Sequence, residues 1–253
     1  MRSIIVLFML VAINLFAFSP YEERVATSKI NRVGLIARVR DGKSVALEKS
    51  LKALSDKKQK HILKKHHITN ISFYKKTLPD KKTWYMVYFD YRGKDYLQAA
   101  RDFEVATPQL SSLVTPHPRA KTYGRQWLQM EWICFIRGAN APKTETRQKV
   151  AMVTRIKPEK EQQYRILHQT VWPGVTDQMA RTHIRNFSIF LVEMDKEIYE
   201  FFYFEYLGKD LDADGKLSAK DPATLRWWKL TDVCQDPLPD AKGGIWSAME
   251  SIK

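Results

Sequence analysis

Two long blocks of the chain show the same order of apolar and polar runs. Alternating or β-branched runs predict strands, and prolines stand where the first turn of a helix accepts them. In the first block the predicted elements are a strand at Val33–Arg40, a Lys-rich helix from about Ser44 to Lys65, strands at Asn70–Thr77 and Thr83–Tyr91, a helix around Tyr96–Val105 and a strand at Trp127–Arg137. In the second they are a strand at Val150–Ile156, a helix from Pro158 to about Val171, strands at Asn186–Met194 and Ile198–Tyr206, an acidic loop at 210–214, a helix opened by Asp221 and Pro222, and a strand at Trp246–Ile252.

Short sequence echoes connect the two blocks. HITNISFY at His67–Tyr74 returns as HIRNFSIF at His183–Phe190, and YFDYRGKD at Tyr88–Asp95 returns as YFEYLGKD at Tyr203–Asp210. Two echoes at nearly one offset, 116 and 115 residues, indicate an internal duplication. We therefore predict two βαββαβ ferredoxin-like units of the α+β class, at 31–137 and 149–253. Each sheet keeps a second apolar face, so the units are expected to pack sheet against sheet as an intrachain dimeric α/β barrel.

Charge is unevenly distributed over these halves. The 253 residues carry 42 Lys and Arg against 28 Asp and Glu, a net charge of +14. Residues 1–149 hold 28 basic and 12 acidic side chains, whereas 150–253 hold 14 and 16. The basic half predicts an acidic polysaccharide or the cell envelope as a partner. It lacks the interleaving of arginine and aromatic residues that is typical of nucleic-acid platforms, so no nucleic acid is expected.

The N-terminal residues 1–19 have the pattern of a signal peptide. One arginine precedes an apolar run from Ile4 to Phe18, and Ala17, Phe18 and Ser19 resemble a signal-peptidase site. We predict an exported protein, with an uncleaved N-terminal anchor as the alternative. Cys134 and Cys234 lie far apart, and no cluster has metal-ligand spacing, so neither a metal nor another cofactor is expected.

Candidate chemistry is concentrated in the second block. Tyr164, His168 and Trp172 are spaced four residues apart, which predicts one aromatic helix face with a single group that titrates near neutrality. A hydrogen-bonded core histidine is the alternative. Adjacent helical residues point about 100° apart, so we expect only one of Trp227 and Trp228 to be buried in the core. The other is expected to face a sugar or an interface.

A series of motifs in this block resembles the L-rhamnose mutarotase family. In order they are Y-x3-H-x3-W-P at Tyr164–Pro173, N-F-S-I-F-L at Asn186–Leu191, F-x-Y-F-E-Y at Phe201–Tyr206, D-P-x-T-x-R-W-W-x-x-T-D-x-C-Q-x-P-L-P at Asp221–Pro239 and M-E-S-I at Met249–Ile252. The resemblance implies that His168 is the proton donor and that Tyr164, Trp227 and Trp228 contact the sugar. It also implies a homodimer of one ferredoxin-like unit, which the duplication would join into one chain.

Two departures from the family pattern lie near these residues. Phe187 stands where the family usually has a tyrosine whose hydroxyl touches substrate; the ring remains as a substrate-binding candidate, but this hydrogen bond is lost. Gly174 stands where the family usually has glutamate. In the first block the positions matching Tyr164, His168 and Trp172 are Glu48, Lys52 and Asp56, so that half is expected to be a scaffold without a site of this type.

The predicted function is a sugar mutarotase that interconverts the α and β anomers of L-rhamnose or a related deoxy sugar. His168 would act as general acid at the ring oxygen, while Tyr164 or a water exchanges the second proton. A non-catalytic exported sugar-binding protein of the same fold is the main alternative. A cofactor-free monooxygenase or heme-handling protein of the broader dimeric barrel group is a third class, which no motif specifically favours.

Overall fold

A computed structural model describes residues 30–140, 146 and 148–253 of the chain. The predicted signal peptide at 1–19 lies outside the described residues. The first half contains β1 (Asn31–Val39), α1 (Ser44–Ala53), α2 (Lys57–Lys65), β2 (Ile68–Thr77), β3 (Thr83–Tyr91), α3 (Ala99–Ala106), β4 (Val114–Thr115), α4 (Pro118–Thr122), β5 (Leu128–Gln129) and β6 (Glu131–Gly138). The second half contains β7 (Gln148–Ile156), α5 (Glu161–Gln169), α6 (Pro173–Arg181), β8 (Ile184–Met194), β9 (Glu197–Tyr206), α7 (Leu211–Ser218), α8 (Pro222–Thr231), β10 (Gln235–Asp236), β11 (Ser247–Ala248) and β12 (Glu250–Ser251).

The strands form two antiparallel six-stranded sheets, so the protein is of the mixed α/β kind. One sheet has the order β12-β2-β3-β1-β4 with β5 also on β1, and the other has the order β10-β7-β9-β8-β6 with β11 also on β7. Each half gives a strand to the other: β6 pairs with β8 through Glu131 and Leu191, and β12 pairs with β2 through Glu250 and Lys75. The two sheets are therefore joined by reciprocal edge strands.

Several predicted elements differ from those observed. The helix expected from Ser44 to Lys65 is two helices, because Leu54 turns into the core at 0% exposure and Asp56 is extended at ψ 151°.

Two expected strands are each divided between the sheets. The strand expected at Trp127–Arg137 is divided at Met130, where the chain passes from one sheet to the other. The expected strand at Trp246–Ile252 is likewise divided between the sheets. The acidic loop is the start of α7, capped by Asp210, and α6 was not predicted.

The inner faces of the two sheets share one apolar core. Tyr88 and Tyr203, which occupy matching positions in the two sequence echoes, stack at 3.5 Å between ring centroids and 12° between planes. Phe190 and Met130 also belong to this core. A Cβ on Gly34 would lie 2.7 Å from the Met130 side chain and 2.9 Å from Phe190, so glycine is required for this close approach.

The echoed segments have the same local backbone. His67 and His183 have φ of 63° and 59°, and Asn70 and Asn186 have φ of 54° and 53°. In each half the asparagine lies where the register shifts against the neighbouring strand. A left-handed asparagine at a β-bulge explains why these short motifs recur.

The outer face of each sheet is covered by helices over its own apolar cluster. On the second sheet, α5 and α6 pack on β6, α6 also packs on β8, and α8 packs on α6; this layer contains the candidate chemistry. No helix among the described residues is long and apolar enough to cross a membrane.

Candidate functional site

His168 lies in the last turn of α5 and faces the second sheet. The residue is 5% exposed, and its Nδ1 lies 3.0 Å from the carbonyl oxygen of Tyr164. A carbonyl oxygen only accepts, so Nδ1 carries the proton of the neutral ring and Nε2 is left as an acceptor. Burial lowers the pKa of His168 to about 4, and only the bond to the Tyr164 carbonyl opposes this shift. The ring is therefore neutral around pH 7.

Tyr164 lies one helical turn before His168, and the two rings are 4.2 Å apart, as their spacing predicts. The Tyr164 hydroxyl donates a short hydrogen bond to Oε1 of Glu200 on β9. Oε2 of Glu200 accepts from the Gln235 amide at 2.9 Å. Burial raises the pKa of Glu200 to about 8, although both hydrogen bonds lower it. Burial, with Glu200 nearby, also raises the pKa of Tyr164 well above its usual range.

Sequence analysis did not single out Glu200 or Gln235. Both residues are enclosed, at 0% and 3% exposure. One sequence signal could have found Glu200. It is an acidic residue on a strand face whose next two members, Phe202 and Phe204, are apolar.

The tryptophan pair lies on α8, whose first turn is capped by Asp221 accepting from the Thr224 amide at 2.9 Å. Trp227 is 5% exposed and presents its ring to His168 at 5.4 Å, with the planes 78° apart. Trp228 is 36% exposed. The expected divergence of the two indoles is observed, and only Trp227 reaches the histidine.

Trp172 does not continue the helix face of Tyr164 and His168. α5 ends at Gln169, and Trp172 is the N-cap residue of α6. Its half-buried indole packs edge-on against Trp227 at 5.4 Å. The four aromatic rings therefore contact one another in the order Tyr164, His168, Trp227, Trp172. Trp172 is the least buried of the four.

The two departures have different structural settings. Phe187 follows the bulge of β8 and packs on Phe202, with ring centroids 5.3 Å apart, and on Phe204 at 6.4 Å. Gly174 lies in the first turn of α6, where an added Cβ would lie 2.9 Å from the Cβ of Ala223. Glycine thus lets α6 approach α8 closely.

Other features of the described residues lie apart from this cluster. A cleft of about 1150 Å³, bordered by Tyr96, Trp132 and Arg119, shares only Glu161 and Arg165 of α5 with the site helix. Within the described part of the chain, no group of three or more His, Cys, Asp or Glu side chains is placed to hold a metal ion.

Together these features define a mixed α/β protein whose second half encloses a His–Tyr–Glu cluster beside two indoles packed edge to face, an arrangement suited to exchanging protons. Residues 149–252 match the model of the L-rhamnose mutarotase family (rhaM), a family of isomerases. The resemblance predicted from the motifs is therefore confirmed for the second half of the chain.

Solved structures give weaker similarities. A putative monooxygenase from Fusobacterium nucleatum is 13% identical over 88% of this chain and 92% of that chain, with a TM-score of 0.45. An anthrone oxidase-like protein is 10% identical over 89% of this chain and 92% of that chain, with a TM-score of 0.43. A mutant chlorite dismutase from Candidatus Nitrospira defluvii is 11% identical over 92% and 96%, with a TM-score of 0.40. No curated protein matches the chain.

Proposed function

We propose that the protein is a sugar mutarotase, acting on L-rhamnose or a related deoxy sugar by ring opening in its second half. The observation that carries this proposal is the contact of His168 with both Tyr164 and Trp227, three residues to which the family resemblance gives roles at the sugar. Anomer exchange needs one proton removed from the anomeric hydroxyl and one delivered to the ring oxygen. Positioned acid–base groups contribute about 10²–10⁴-fold to such a step.

Substrate entry requires movement of the side chains that cover His168, because its ring is 5% exposed. Trp172 is half-buried at the turn between α5 and α6, so its indole can move with the least loss of packing. Trp227 would then hold the apolar face of the sugar.

The test is the rate of anomer exchange measured by saturation-transfer NMR on L-rhamnose, L-fucose and related deoxy sugars. We expect the protein to accelerate exchange of at least one of them and His168→Ala to abolish the acceleration. His183→Ala is the matched control, because His183 is half-exposed and bonded to Asp214. Equal rates with the protein and with buffer would refute the proposal.

A non-catalytic exported sugar-binding protein is the second candidate, and it is favoured by Phe187, whose ring lacks the hydroxyl of the family tyrosine. It predicts a change in tryptophan fluorescence on sugar addition without faster anomer exchange.

We also propose that the halves are two ferredoxin-like repeats forming an intrachain barrel. The matched conformations of the echoed segments and the Tyr88–Tyr203 stack support this arrangement. Export of the protein remains a proposal from the N-terminal sequence.

For the basic first half, we propose binding to an acidic polysaccharide. The lysines of α2 support this, because Lys57, Lys58, Lys60, Lys64 and Lys65 are all exposed. Retention on immobilised polyuronate should fall with salt and with replacement of Lys64 and Lys65 by glutamine. Retention that is unaffected by either change would contradict it.

A further inference from the structure

Glu200 is an enclosed carboxyl group without a cationic partner among the described residues. It is 0% exposed, and its two oxygens are taken by the Tyr164 hydroxyl and the Gln235 amide. A buried carboxylate normally acquires a Lys or Arg partner, because burial without one strongly favours the neutral acid. Here neither neighbour is charged, so burial favours the neutral acid; in that form Glu200 donates its proton to the Tyr164 oxygen, and the tyrosine proton is free to bond elsewhere.

The first half contains the same pair with the residues exchanged. Glu48 lies 116 residues before Tyr164, and Tyr85 lies 115 residues before Glu200. The Tyr85 hydroxyl donates to Glu48 at 2.9 Å, and Lys75 binds the same oxygen at 3.0 Å. Burial raises the pKa of Glu48, but the bonds from Lys75 and Tyr85 outweigh it, so the pKa lies below its ordinary value.

This difference between the pairs separates two roles. A helix-to-strand tether explains a tyrosine–glutamate bond in either half. It does not explain why only the pair beside His168 is fully enclosed and lacks a cation. The pair in the second half is thus arranged to keep a proton, whereas the pair in the first half is arranged to keep a charge.

The position of the proton on the neutral His168 ring means that another group must act as the acid. With the proton on Nδ1, neutral His168 accepts a proton at Nε2 but has none to give there. The proton for the sugar ring oxygen must then come from another group. Tyr164 carries such a proton on its hydroxyl, and its ring centroid lies 4.2 Å from that of the imidazole.

We propose that Glu200 supplies, through the Tyr164 hydroxyl, the proton that the ring oxygen receives as the sugar opens, while His168 accepts the anomeric proton at Nε2. This inference rests on the proposed mutarotase function. Glu200 acts through Tyr164 and is a positioning residue. It reverses the starting role that the family resemblance gives to His168.

Atoms and charges balance in this step. The bond between the anomeric carbon and the ring oxygen breaks, and the bond to the anomeric oxygen becomes a carbonyl. The hydroxyl proton of Tyr164 moves to the ring oxygen and is replaced from Glu200, while the anomeric proton moves to His168. Glu200 is then ionised and His168 protonated. Closure on the other face of the carbonyl returns both protons, and no oxidant or reductant is required.

The groups around the pair come from four elements. His168 lies on α5 with Tyr164, Cys134 lies on β6, Cys234 precedes Gln235 of β10, and Lys157 and Lys160, which act on Cys234, lie between β7 and α5. Burial raises the pKa of the Cys234 thiol above its ordinary value of 9.0.

The proposed step requires neutral His168, with a pKa of about 4, and protonated Glu200, with a pKa of about 8.

The experiment compares the pH dependence of kcat/KM for anomer exchange in wild type and Glu200→Gln. Glutamine keeps the shape and can still accept from Tyr164, and Gln235 can turn its amide to match. We expect wild-type activity to fall above about pH 8. In Glu200→Gln we expect kcat to fall on the order of 10²-fold with little change in KM, and the upper limb to disappear. Glu48→Gln is the matched control and should keep the wild-type profile.

The possible outcomes test the mutarotase function and the proton relay separately. A wild-type protein without activity refutes the mutarotase function, and the relay with it. An active wild type with an unchanged rate and upper limb in Glu200→Gln refutes the relay alone. So does a lower rate with the upper limb retained, which indicates a purely structural pair. If Glu200→Gln does not fold, Tyr164→Phe tests the same step, because it removes the hydroxyl but keeps the ring, and the same loss of the upper limb is expected.

Discussion

At the scale of single residues, two buried carboxyl groups lie on opposite faces of β9, one neutral and one charged. Glu200 faces the helices without a cation, whereas Glu205 faces the other sheet and accepts from Asn70, Asn186 and Arg185 at 2.6, 2.9 and 2.8 Å. Burial raises the pKa of Glu205, but these bonds outweigh it and lower the pKa to about 2. The two carboxyl groups therefore affect stability in opposite directions as the pH changes.

Glu205→Gln tests this buried ion pair. Because the folded pKa of about 2 lies below the ordinary 4.5, the stabilisation is present above pH 4.5 and lost as the pH falls through 2. Replacing the carboxylate by an amide breaks its ion pair with the buried Arg185, so we expect a loss of roughly 3–5 kcal/mol at pH 7, measured by urea unfolding. The exposed Glu159→Gln is the control. A loss that persists equally at pH 2 would contradict the ion-pair account.

His168→Asn tests the burial of the neutral imidazole. The folded pKa of about 4 lies below the ordinary 6.5, so wild type should lose stability as the pH falls from 6.5 to 4. The expected loss is roughly 3 kcal/mol, which the asparagine variant would not show. Parallel pH dependence of both proteins in thermal unfolding would mean that His168 is accessible to solvent in the native state.

Residue spacing predicted some of these contacts and not others. The interval of four residues placed Tyr164 beside His168, and helix geometry separated Trp227 from Trp228. Glu200 was not predicted because both faces of β9 are buried, so alternation could not show which acidic residue meets a helix. The partner Gln235 comes from a two-residue strand, which has no periodicity to recognise.

At the scale of elements, the approach of α6 to α8 depends on a glycine. Gly174 meets the Cβ of Ala223 at the start of α8, the helix that holds Trp227 against His168. The sequence marked this position only as a departure from the family pattern, because the contact joins elements 49 residues apart in the chain. Its packing role became visible only with both helices in place.

Gly174→Ala should lower the melting temperature and move α8. The added methyl group forces a shift that costs about 1–3 kcal/mol. Gly215→Ala is the matched control, since Gly215 lies in α7 with no atom within 4 Å of an added Cβ. That change should stabilise by about 0.5–1 kcal/mol through helix propensity. A neutral or stabilising Gly174→Ala would show that the helices are not in tight contact.

Helix and strand ends were predicted less well than their order. Strand cores such as Thr83–Tyr91 follow from their apolar runs. The break at Leu54 and the crossing at Met130 depend on which sheet the side chains reach, and local periodicity does not contain this information.

At the scale of the whole molecule, the halves are interdependent through their exchanged strands. A fragment of residues 149–253 lacks β6, so the edge of β8 and the apolar inner face around Phe190, Phe201 and Tyr203 become exposed. We expect this fragment to pair with a second copy or to aggregate, whereas the full chain at equal concentration covers the same face internally. Analytical ultracentrifugation of both samples tests this. A folded monomeric fragment would contradict it.

The reciprocal strands also constrain what mutation can remove. The first half has no histidine or indole at the sequence positions that match the candidate site, yet its β6 completes the edge of the sheet beneath that site. Deleting the first half would therefore remove backbone from the sheet that carries the candidate site. Substitutions at those positions of the first half can thus accumulate without touching the candidate site, but the strands of both halves must be kept.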